Sequence, residues 1–281
     1  MQKMRRFTKR MLQRAEIMAL TRGRPFYDRT TGRRYRRVYH FHVRKSAGTS
    51  LNTAFWKLCK DSEAQQLRGE GYLVGRCEAA GLPRKLVMAR HDVSVLQGGR
   101  YHMGYSHQPC WGLELPSDTF TLTIIRDPLR RLQSYYRYLM WVRHAYTHTP
   151  EVLRVAEPSW QELLLEANAL GPVGEESLQN LVERAAAKHV VTQLWMFSEE
   201  LDPAEAAERI VACSAVMRTE NFVADLAELG ERLGLPLGNY RERSYDNSGI
   251  PAFTPADIAA ARDALVPEYA MLDRLGLTQA S

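Results

Sequence analysis

The stretch from Val38 to Leu58 constrains the fold more than any other part of the sequence. It begins with an apolar run, 38–43, that is rich in β-branched and aromatic residues and predicts a buried strand. A short loop with two cations follows, from Arg44 to Gly48, and apolar residues then recur at helical spacing. Because the unpaired N–H groups and the positive dipole end of a helix point at the loop before it, this succession predicts an anion-binding loop.

Several groups in this loop can contact an anion. Lys45 supplies a full charge, and Thr49 and Ser50 supply hydroxyl groups and are also the predicted N-cap residues of the helix. The nucleoside-triphosphatase pattern is different, because there the Lys follows an earlier glycine, whereas here Lys45 precedes Gly48, the loop's only glycine. A plain turn after a strand is the alternative interpretation of this motif.

A second stretch repeats the arrangement further along the chain. Residues 119–125 are strongly β-prone, Arg126 and Asp127 end the run, and Pro128 suits the first turn of a helix. The predicted helix has an apolar stripe of Leu129, Leu132, Tyr135, Tyr136 and Leu139 and a polar face of Arg130, Arg131, Gln133, Ser134 and Arg137. Arg126 suits bidentate contact with a phosphate, and pairing with Asp127 or another acid is the alternative.

Together the two stretches resemble the sulfotransferases that use 3′-phosphoadenosine 5′-phosphosulfate (PAPS), in particular their carbohydrate-type branch. In that family an H-x-x-K-[ST]-[AG]-G-T-S loop holds the 5′-phosphosulfate, and residues 42–50, HVRKSAGTS, match it. The family's R-D-P-x-x-R-x-x-S-x-Y signature binds the 3′-phosphate, and residues 126–136, RDPLRRLQSYY, match that as well. The order and the separation of the two motifs also fit.

The resemblance implies a set of donor-binding residues and no required metal. Lys45 would be catalytic, stabilising the charge that grows on the leaving phosphate. The residues expected to hold the donor are Arg44, Lys45, Ser46, Ala47, Gly48, Thr49, Ser50, Arg126 and Ser134. The segment 241–249, RERSYDNSG, looks like the family's basic loop, which adds Arg243, Asn247 and Ser248 as weaker candidates, although an ordinary Asn-Ser-Gly turn explains it equally.

One histidine is predicted to be the catalytic base. The segment 103–112, MGYSHQPCWG, looks similar to a G-H-x-P-x-G-like segment that can contribute the base in carbohydrate sulfotransferases. The match departs from that pattern in two ways, since Ser106 replaces the glycine and one extra residue precedes Gly112. His107 is therefore the first candidate, His102 the second and His91 the third.

The remaining elements predict an α/β fold. Further strands are expected at Leu86–Arg90, Tyr101–Tyr105 and Ala215–Arg218, and further helices at Trp160–Leu170, Glu175–His189, Pro203–Cys213, Phe222–Leu233 and after a Thr254 cap. Their alternation predicts a mainly parallel sheet with helices on both faces, and the resemblance implies a P-loop-like three-layer sandwich. Residues 38–281 are expected to form a single sulfotransferase domain, and residues 61–83 remain unassigned.

The charge is concentrated in the N-terminal extension, 1–37. It holds thirteen Lys or Arg and two acidic residues, a net of +11, while the other 25 basic and 30 acidic residues give a net of −5. A nucleic-acid partner is therefore not expected. The extension predicts a basic amphipathic helix, with Met4, Phe7, Met11 and Met18 on one side. Contact with anionic lipid, docking on the body and a simple surface helix or frayed terminus are the alternatives.

The expected location is cytoplasmic, with or without peripheral membrane contact. The chain shows no signal-peptide core and no run of membrane-spanning length, in contrast to the Golgi-anchored animal carbohydrate sulfotransferases. Its four cysteines show neither metal-ligand spacing nor a disulfide framework.

The sequence thus predicts transfer of a sulfuryl group from PAPS to a hydroxyl, expected on a carbohydrate or glycolipid. Trp111, Trp141, Tyr135 and Tyr136 are candidates for stacking on a sugar, with core packing as their alternative. The rival functions are a small-molecule kinase, with Asp127 as the best candidate for a Mg²⁺ ligand, and a non-catalytic adaptor for membranes or polyanions. The oligomeric state is left open.

Overall fold

A computed structural model describes residues 12, 14–59, 65–67, 72–148, 159–240 and 252–277 of the 281-residue chain. The chain packs as two compact units. Unit 1 comprises Met1–Val43, Ala47–Ile125 and Ile210–Glu242, and unit 2 comprises Arg44–Ser46, Arg126–Arg209 and Arg243–Ser281. Three residues of the cationic loop, Arg44–Ser46, therefore belong to the same unit as the segment that begins at Arg126.

The strands all lie in unit 1. In chain order they are β1 (Phe26–Tyr27), β2 (Arg34–Tyr35), β3 (Arg37–Phe41), β4 (Gln65–Leu67), β5 (Tyr72–Arg76), β6 (Lys85–Arg90), β7 (Met103–Ser106), β8 (Thr119–Ile125) and β9 (Ala215–Arg218). The first two form a separate antiparallel pair, and the others form one sheet in the order β4-β5-β6-β7-β3-β8-β9. Strands β6, β7, β3, β8 and β9 run parallel, while β4 and β5 add an antiparallel edge.

The helices flank this sheet in unit 1 and make up unit 2. In chain order they are α1 (Gly48–Trp56), α2 (Val93–Gln97), α3 (Pro128–His148), α4 (Ser159–Ala167), α5 (Leu178–Arg184), α6 (Ala187–Val190), α7 (Thr192–Phe197), α8 (Pro203–Val211), α9 (Phe222–Leu233), α10 (Pro255–Ala264) and α11 (Val266–Arg274). Residues 14–20 are also helical. None of the helices in the described residues is long and apolar enough to cross a membrane. The structure is therefore a mixed α/β fold with a mostly parallel sheet, as the sequence predicts.

The core of unit 1 forms where alternate side chains of the sheet meet two helices. Phe120, Leu122 and Ile124 of β8 point to one face and pack in a single cluster with Leu51 of α1 and Leu226 of α9. All five residues of β3 are buried, which is typical of a central parallel strand covered on both faces by other chain segments. These apolar residues hold the ends of β3 and β8 in fixed positions.

Two predicted helices are wrong in their extent. The predicted helix 175–189 is divided, because Ala185 and Ala186 have extended backbones between α5 and α6. Alanine favours helix by less than 1 kcal/mol per residue, so tertiary packing easily overrides that preference. The last predicted helix also divides, into α10 and α11, where Leu265 ends one helix and Pro267 occupies the first turn of the next.

The antiparallel edge was not predicted, because β4 and β5 lie within the unassigned residues 61–83. Other predictions are confirmed. Strand β9 has the predicted bounds, and α9 ends at Gly234, whose φ of 65° is the left-handed conformation of a helix C-cap. Thr254 caps α10 in a capping box with Asp257.

Candidate active site at the carboxyl edge of the sheet

Three neighbouring strands end at the segments that carry the predicted site. Strand β3 pairs in parallel with β7 on one side and with β8 on the other. The loop of residues 42–47 follows β3, His107 follows β7, and Arg126 follows β8. Ligands of open parallel sheets bind at this carboxyl edge, so the strand order brings the starts of all three segments to the expected place.

The cationic loop has an unusual backbone. Lys45 and Ala47 have φ values of 69° and 59°, a left-handed region that residues with a side chain seldom adopt. Ala47 is the N-cap of α1 and makes no side-chain capping bond. The prediction of Thr49 and Ser50 as N-caps is therefore wrong. They lie in the first turn, because the left-handed Ala47 already turns the chain into the helix.

Gly48 allows two histidines, one from β3 and one from the loop after it, to touch the helix. A Cβ on Gly48 would lie 2.1 Å from Cδ2 of His42 and 2.7 Å from Cε1 of His40, which are closer than real contacts. The two rings stack with centroids 5.0 Å apart. A glycine is therefore needed here for packing, in addition to any role in admitting an anion.

The side-chain amide of Asn52, in α1, contacts both of these rings. Its Oδ1 lies 2.8 Å from Nδ1 of His40, and its Nδ2 lies 3.5 Å from Nδ1 of His42. His40 is fully buried, and this burial lowers its pKa to about 4, so the ring is neutral at physiological pH. Asn52 was not predicted, although a polar residue beside the buried Leu51 is a signal for such a role.

His107 has the hydrogen bond that a general base needs. Its Nδ1 lies 2.7 Å from the backbone oxygen of His42, and its ring lies 4.5 Å from the His42 ring. Because a carbonyl oxygen can only accept, Nδ1 of His107 carries the proton. In the neutral form of the ring the lone pair is then at Nε2, and this is the form that can remove a proton.

His102 and His91, the alternative candidates for the base, differ from His107 in burial and in hydrogen bonding. His102 is fully buried, its Nδ1 accepts the N–H of Val87 at 3.0 Å, and burial lowers its pKa to about 4. The His102 ring therefore serves as a hydrogen-bond acceptor within the sheet. His91 is exposed, has a left-handed φ of 61°, and lies 5.7 Å from His107, centroid to centroid.

Arg126 and Lys45, the cationic residues of the two motifs, are in contact within unit 2. Nη1 of Arg126 donates to the backbone oxygen of Lys45 at 3.1 Å. Nζ of Lys45 lies 4.7 Å from the ring centroid of Tyr138, which is a cation–π geometry. The Arg126 guanidinium and the loop that contains Lys45 are therefore neighbours, although Arg126 and Lys45 are 81 positions apart in the sequence.

A buried glutamine fixes the backbone of Arg126. Oε1 of Gln193 accepts the Arg126 N–H at 2.7 Å, and Nε2 of Gln193 donates to the Arg126 oxygen at 3.0 Å. Glu268 in turn accepts the backbone N–H of Gln193 at 2.7 Å. Gln193 was not predicted, although a single amide within the apolar run 190–197 is the signal that could have shown it.

Arg131 was predicted to lie on the polar face of α3, but the structure buries it. It is fully buried, and its Nε lies 3.6 Å from Glu268, which is also fully buried. It donates as well to the Val190 oxygen and to the Thr192 hydroxyl. Local helical spacing could not show this, because the carboxylate partner comes from α11.

Arg44 is paired with an acid in unit 2. Its Nη1 lies 3.3 Å from Glu166, which also accepts from the hydroxyl of Tyr135 and lies 3.5 Å from Nε2 of His189. Tyr135 is buried, and burial together with the Glu166 charge raises the pKa of its phenol. Tyr136 is buried against Phe253. Both tyrosines therefore serve packing, the alternative given for them from the sequence.

The other predicted donor-binding residues are less constrained. Ser46 is fully buried, with no partner for its hydroxyl among the described residues, and Ser134 is half-buried on α3. Arg243, Asn247 and Ser248 lie outside the described residues. Within the part of the chain that the structure describes, no three His, Cys, Asp or Glu side chains are grouped so as to hold a metal ion.

No model of a known protein family matches the chain, and no curated protein matches it either. The function is therefore inferred from the residues of the site themselves.

Proposed function

We propose that this protein is a PAPS-dependent sulfotransferase of the carbohydrate type, with a P-loop-like three-layer fold. The observation that carries the proposal is the hydrogen bond between the Arg126 guanidinium and the Lys45 backbone. It brings the motif that would bind the 3′-phosphate into contact with the motif that would bind the 5′-phosphosulfate. Because one nucleotide carries both groups, the residues that bind them need to lie close together.

Charge determines how such a site would act. The hydroxyl oxygen of the acceptor attacks the sulfur, and the bond between sulfur and the bridging phosphate oxygen breaks. The electron pair of that bond goes to the phosphate of 3′,5′-bisphosphoadenosine. Lys45 and the N–H groups at the start of α1 would stabilise this growing charge, much as cations do in phosphoryl transfer. Nε2 of His107 would take the hydroxyl proton, since Nδ1 already donates to His42.

Arg126 would distinguish this donor from ATP by holding the 3′-phosphate, with help from Ser134. The amide of Gln193 supports this role, because it holds the Arg126 backbone through both its N–H and its C=O. A fixed backbone leaves fewer positions for the guanidinium, so less conformational freedom is lost when it binds a phosphate.

The acceptor side is supported by an aromatic pair next to Lys45. Trp141 is 37% exposed and stacks on Tyr138 with ring centroids 6.1 Å apart, and Tyr138 is the ring that Lys45 contacts. Partly exposed aromatic rings suit the apolar faces of sugars. We therefore propose a saccharide hydroxyl as the acceptor, as expected from the sequence, and Trp141 as the stacking residue.

The direct test is turnover with a sulfate-labelled donor and a panel of saccharide acceptors. For Lys45→Ala we predict a loss of turnover on the order of 100-fold or more, the usual effect of removing a group that stabilises transition-state charge. Lys57→Ala is the matched control, because Lys57 is exposed at the other end of α1. Folding of each variant is checked by circular dichroism.

Two results would contradict the proposal. One is wild-type turnover in the Lys45→Ala variant. The other is transfer of a labelled γ-phosphate from ATP without any transfer from PAPS, which would favour the kinase. Unchanged turnover in His107→Ala would contradict only the assignment of the base.

A further inference from the structure

Asn52 lies at the junction of three elements of the proposed site. It is 7% exposed, belongs to α1, and faces the rings of His40 and His42 from β3 and the loop after it. Its position gives it contact with both rings but none with the reacting groups described above. Asn52 can therefore influence the site through the two rings that it contacts.

The amide of Asn52 fixes the proton positions of both rings. Its Oδ1 can only accept, so Nδ1 of His40 must donate across the 2.8 Å contact. Its Nδ2 can only donate, so Nδ1 of His42 must accept across the 3.5 Å contact. A neutral imidazole carries one proton, and His42 therefore carries it on Nε2.

Nε2 of His42 lies beside the first residue of α1. A Cβ built on Gly48 would be 2.4 Å from this nitrogen, so the two groups are in direct contact. The start of a helix is where its positive dipole end favours an anion, and an imidazole N–H there is a further donor. Ser46, in the same loop, is fully buried, and its hydroxyl has no partner among the described residues.

We propose that Asn52 is a positioning residue that holds His42 as an Nε2–H donor beside Gly48, where His42 binds an oxygen of the donor's 5′-phosphosulfate. The second half of this inference rests on the proposed function, whereas the first half does not. His40 supports the arrangement by stacking on His42, with centroids 5.0 Å apart.

His42 also serves the base. Its backbone oxygen accepts the Nδ1–H of His107 at 2.7 Å. One residue thereby contacts the anion through its ring and orients the base through its carbonyl. Substitution of Asn52 releases the ring and leaves the carbonyl in the chain, so the main loss is expected in donor binding.

The experiment is long-range ¹H–¹⁵N correlation spectroscopy of the full chain labelled at histidine. The wild-type protein should show His42 protonated on Nε2 and His40 protonated on Nδ1. Asn52→Leu removes both amide contacts at similar volume and should leave His42 as a mixture of tautomers. Asn52→Asp offers acceptors only and should move the His42 proton to Nδ1. Asn180→Leu is the control, since Asn180 bonds only backbone oxygens of unit 2 through its amide N–H groups.

Addition of 3′,5′-bisphosphoadenosine tests the contact with the donor. We expect a shift of the His42 Nε2–H signal, and in Asn52→Leu a KM for the donor that is roughly tenfold higher with a smaller change in kcat, the size expected for one charged hydrogen bond. A wild-type His42 protonated on Nδ1 would overturn the role of Asn52. Bound nucleotide without a His42 shift would overturn the donor contact. No nucleotide binding at all would overturn the proposed function and leave the tautomer spectra to decide the role of Asn52.

Discussion

His40, His102 and His107 show how individual side chains acquire fixed proton positions in this fold. Nδ1 of His40 donates to Asn52, Nδ1 of His102 accepts from Val87, and Nδ1 of His107 donates to a carbonyl oxygen. The first two rings are fully buried and neutral. Of these three rings, His107 is the one that is half-buried, and it stays the predicted base.

The buried histidines predict a loss of stability in mild acid. Burial lowers the pKa of His40 and of His102 to about 4, while in the unfolded chain both titrate near 6.5. Between these values the unfolded state binds more protons, so the free energy of unfolding falls as the pH falls from about 6.5 to about 4. Each ring contributes a loss on the order of 3 kcal/mol across that window. Above pH 6.5 both states are neutral and the contribution is complete.

Denaturant titrations from pH 4.5 to 8 check this prediction. His102→Gln should have a shallower pH dependence than the wild type. The same slope in both proteins, or a wild-type stability that does not change between pH 6.5 and 4.5, would contradict the assigned burial of these rings.

At the residue scale, the sequence indicates which residues are candidates for the site, but not their backbone conformations. The motif indicated Lys45, Arg126 and His107, because their chemistry can be read from residue type and order. The left-handed backbones of Lys45 and Ala47 could not be predicted, since side chains normally disfavour that region. Nor could the contact between Gly48 and His42, which depends on how the helix packs on the strand.

Among the elements, α7 and α11 support the site from a distance in the sequence. Gln193 of α7 holds the backbone of Arg126, and Glu268 of α11 holds both Gln193 and the buried Arg131. Gln193, Glu268 and Arg131 are fully buried and form one connected polar network within unit 2. Such networks are costly to interrupt, because each group that loses its partner stays away from water.

We predict that Gln193→Leu destabilises the protein by about 2–4 kcal/mol, since it removes the buried amide that bonds both the N–H and the C=O of Arg126. It should also weaken binding of 3′,5′-bisphosphoadenosine, because the guanidinium is no longer positioned. Denaturant unfolding and calorimetric titration measure the two effects. Gln179→Leu is the control, since its side chain is exposed and bonds only Glu183 one turn away, and its effect should be within about 0.5 kcal/mol. Equal stability of the two variants would be evidence that the Gln193 amide does not stabilise the Arg126 backbone.

Elements with strong local patterns were predicted well. In strand β8 threonine alternates with apolar residues from Thr119 to Ile124, and α9 has a clear apolar stripe that ends at a glycine. The short strands β4 and β5 were missed because they carry little pattern of their own and depend on pairing with β6. The break at Ala185 was missed because its residues favour helix locally.

At the scale of the whole molecule, strand order determines which motifs are neighbours. Strand β3 is flanked by β7 and β8, although 61 residues separate the end of β3 from the start of β7. No local pattern in the sequence fixes that order, and the expectation that the motifs share one edge came from the general rule for parallel sheets. The sheet confirms this part of the prediction for the three strands.

The most direct test of the account is calorimetric titration with 3′,5′-bisphosphoadenosine, 5′-AMP and ATP. We predict that the wild type prefers the bisphosphate by at least about tenfold, and that Arg126→Ala loses this preference while the exposed Arg130→Ala keeps it. Equal binding of the three nucleotides by the wild type, or a preference that survives in Arg126→Ala, would contradict the claim that Lys45 and Arg126 hold the two ends of one doubly phosphorylated donor.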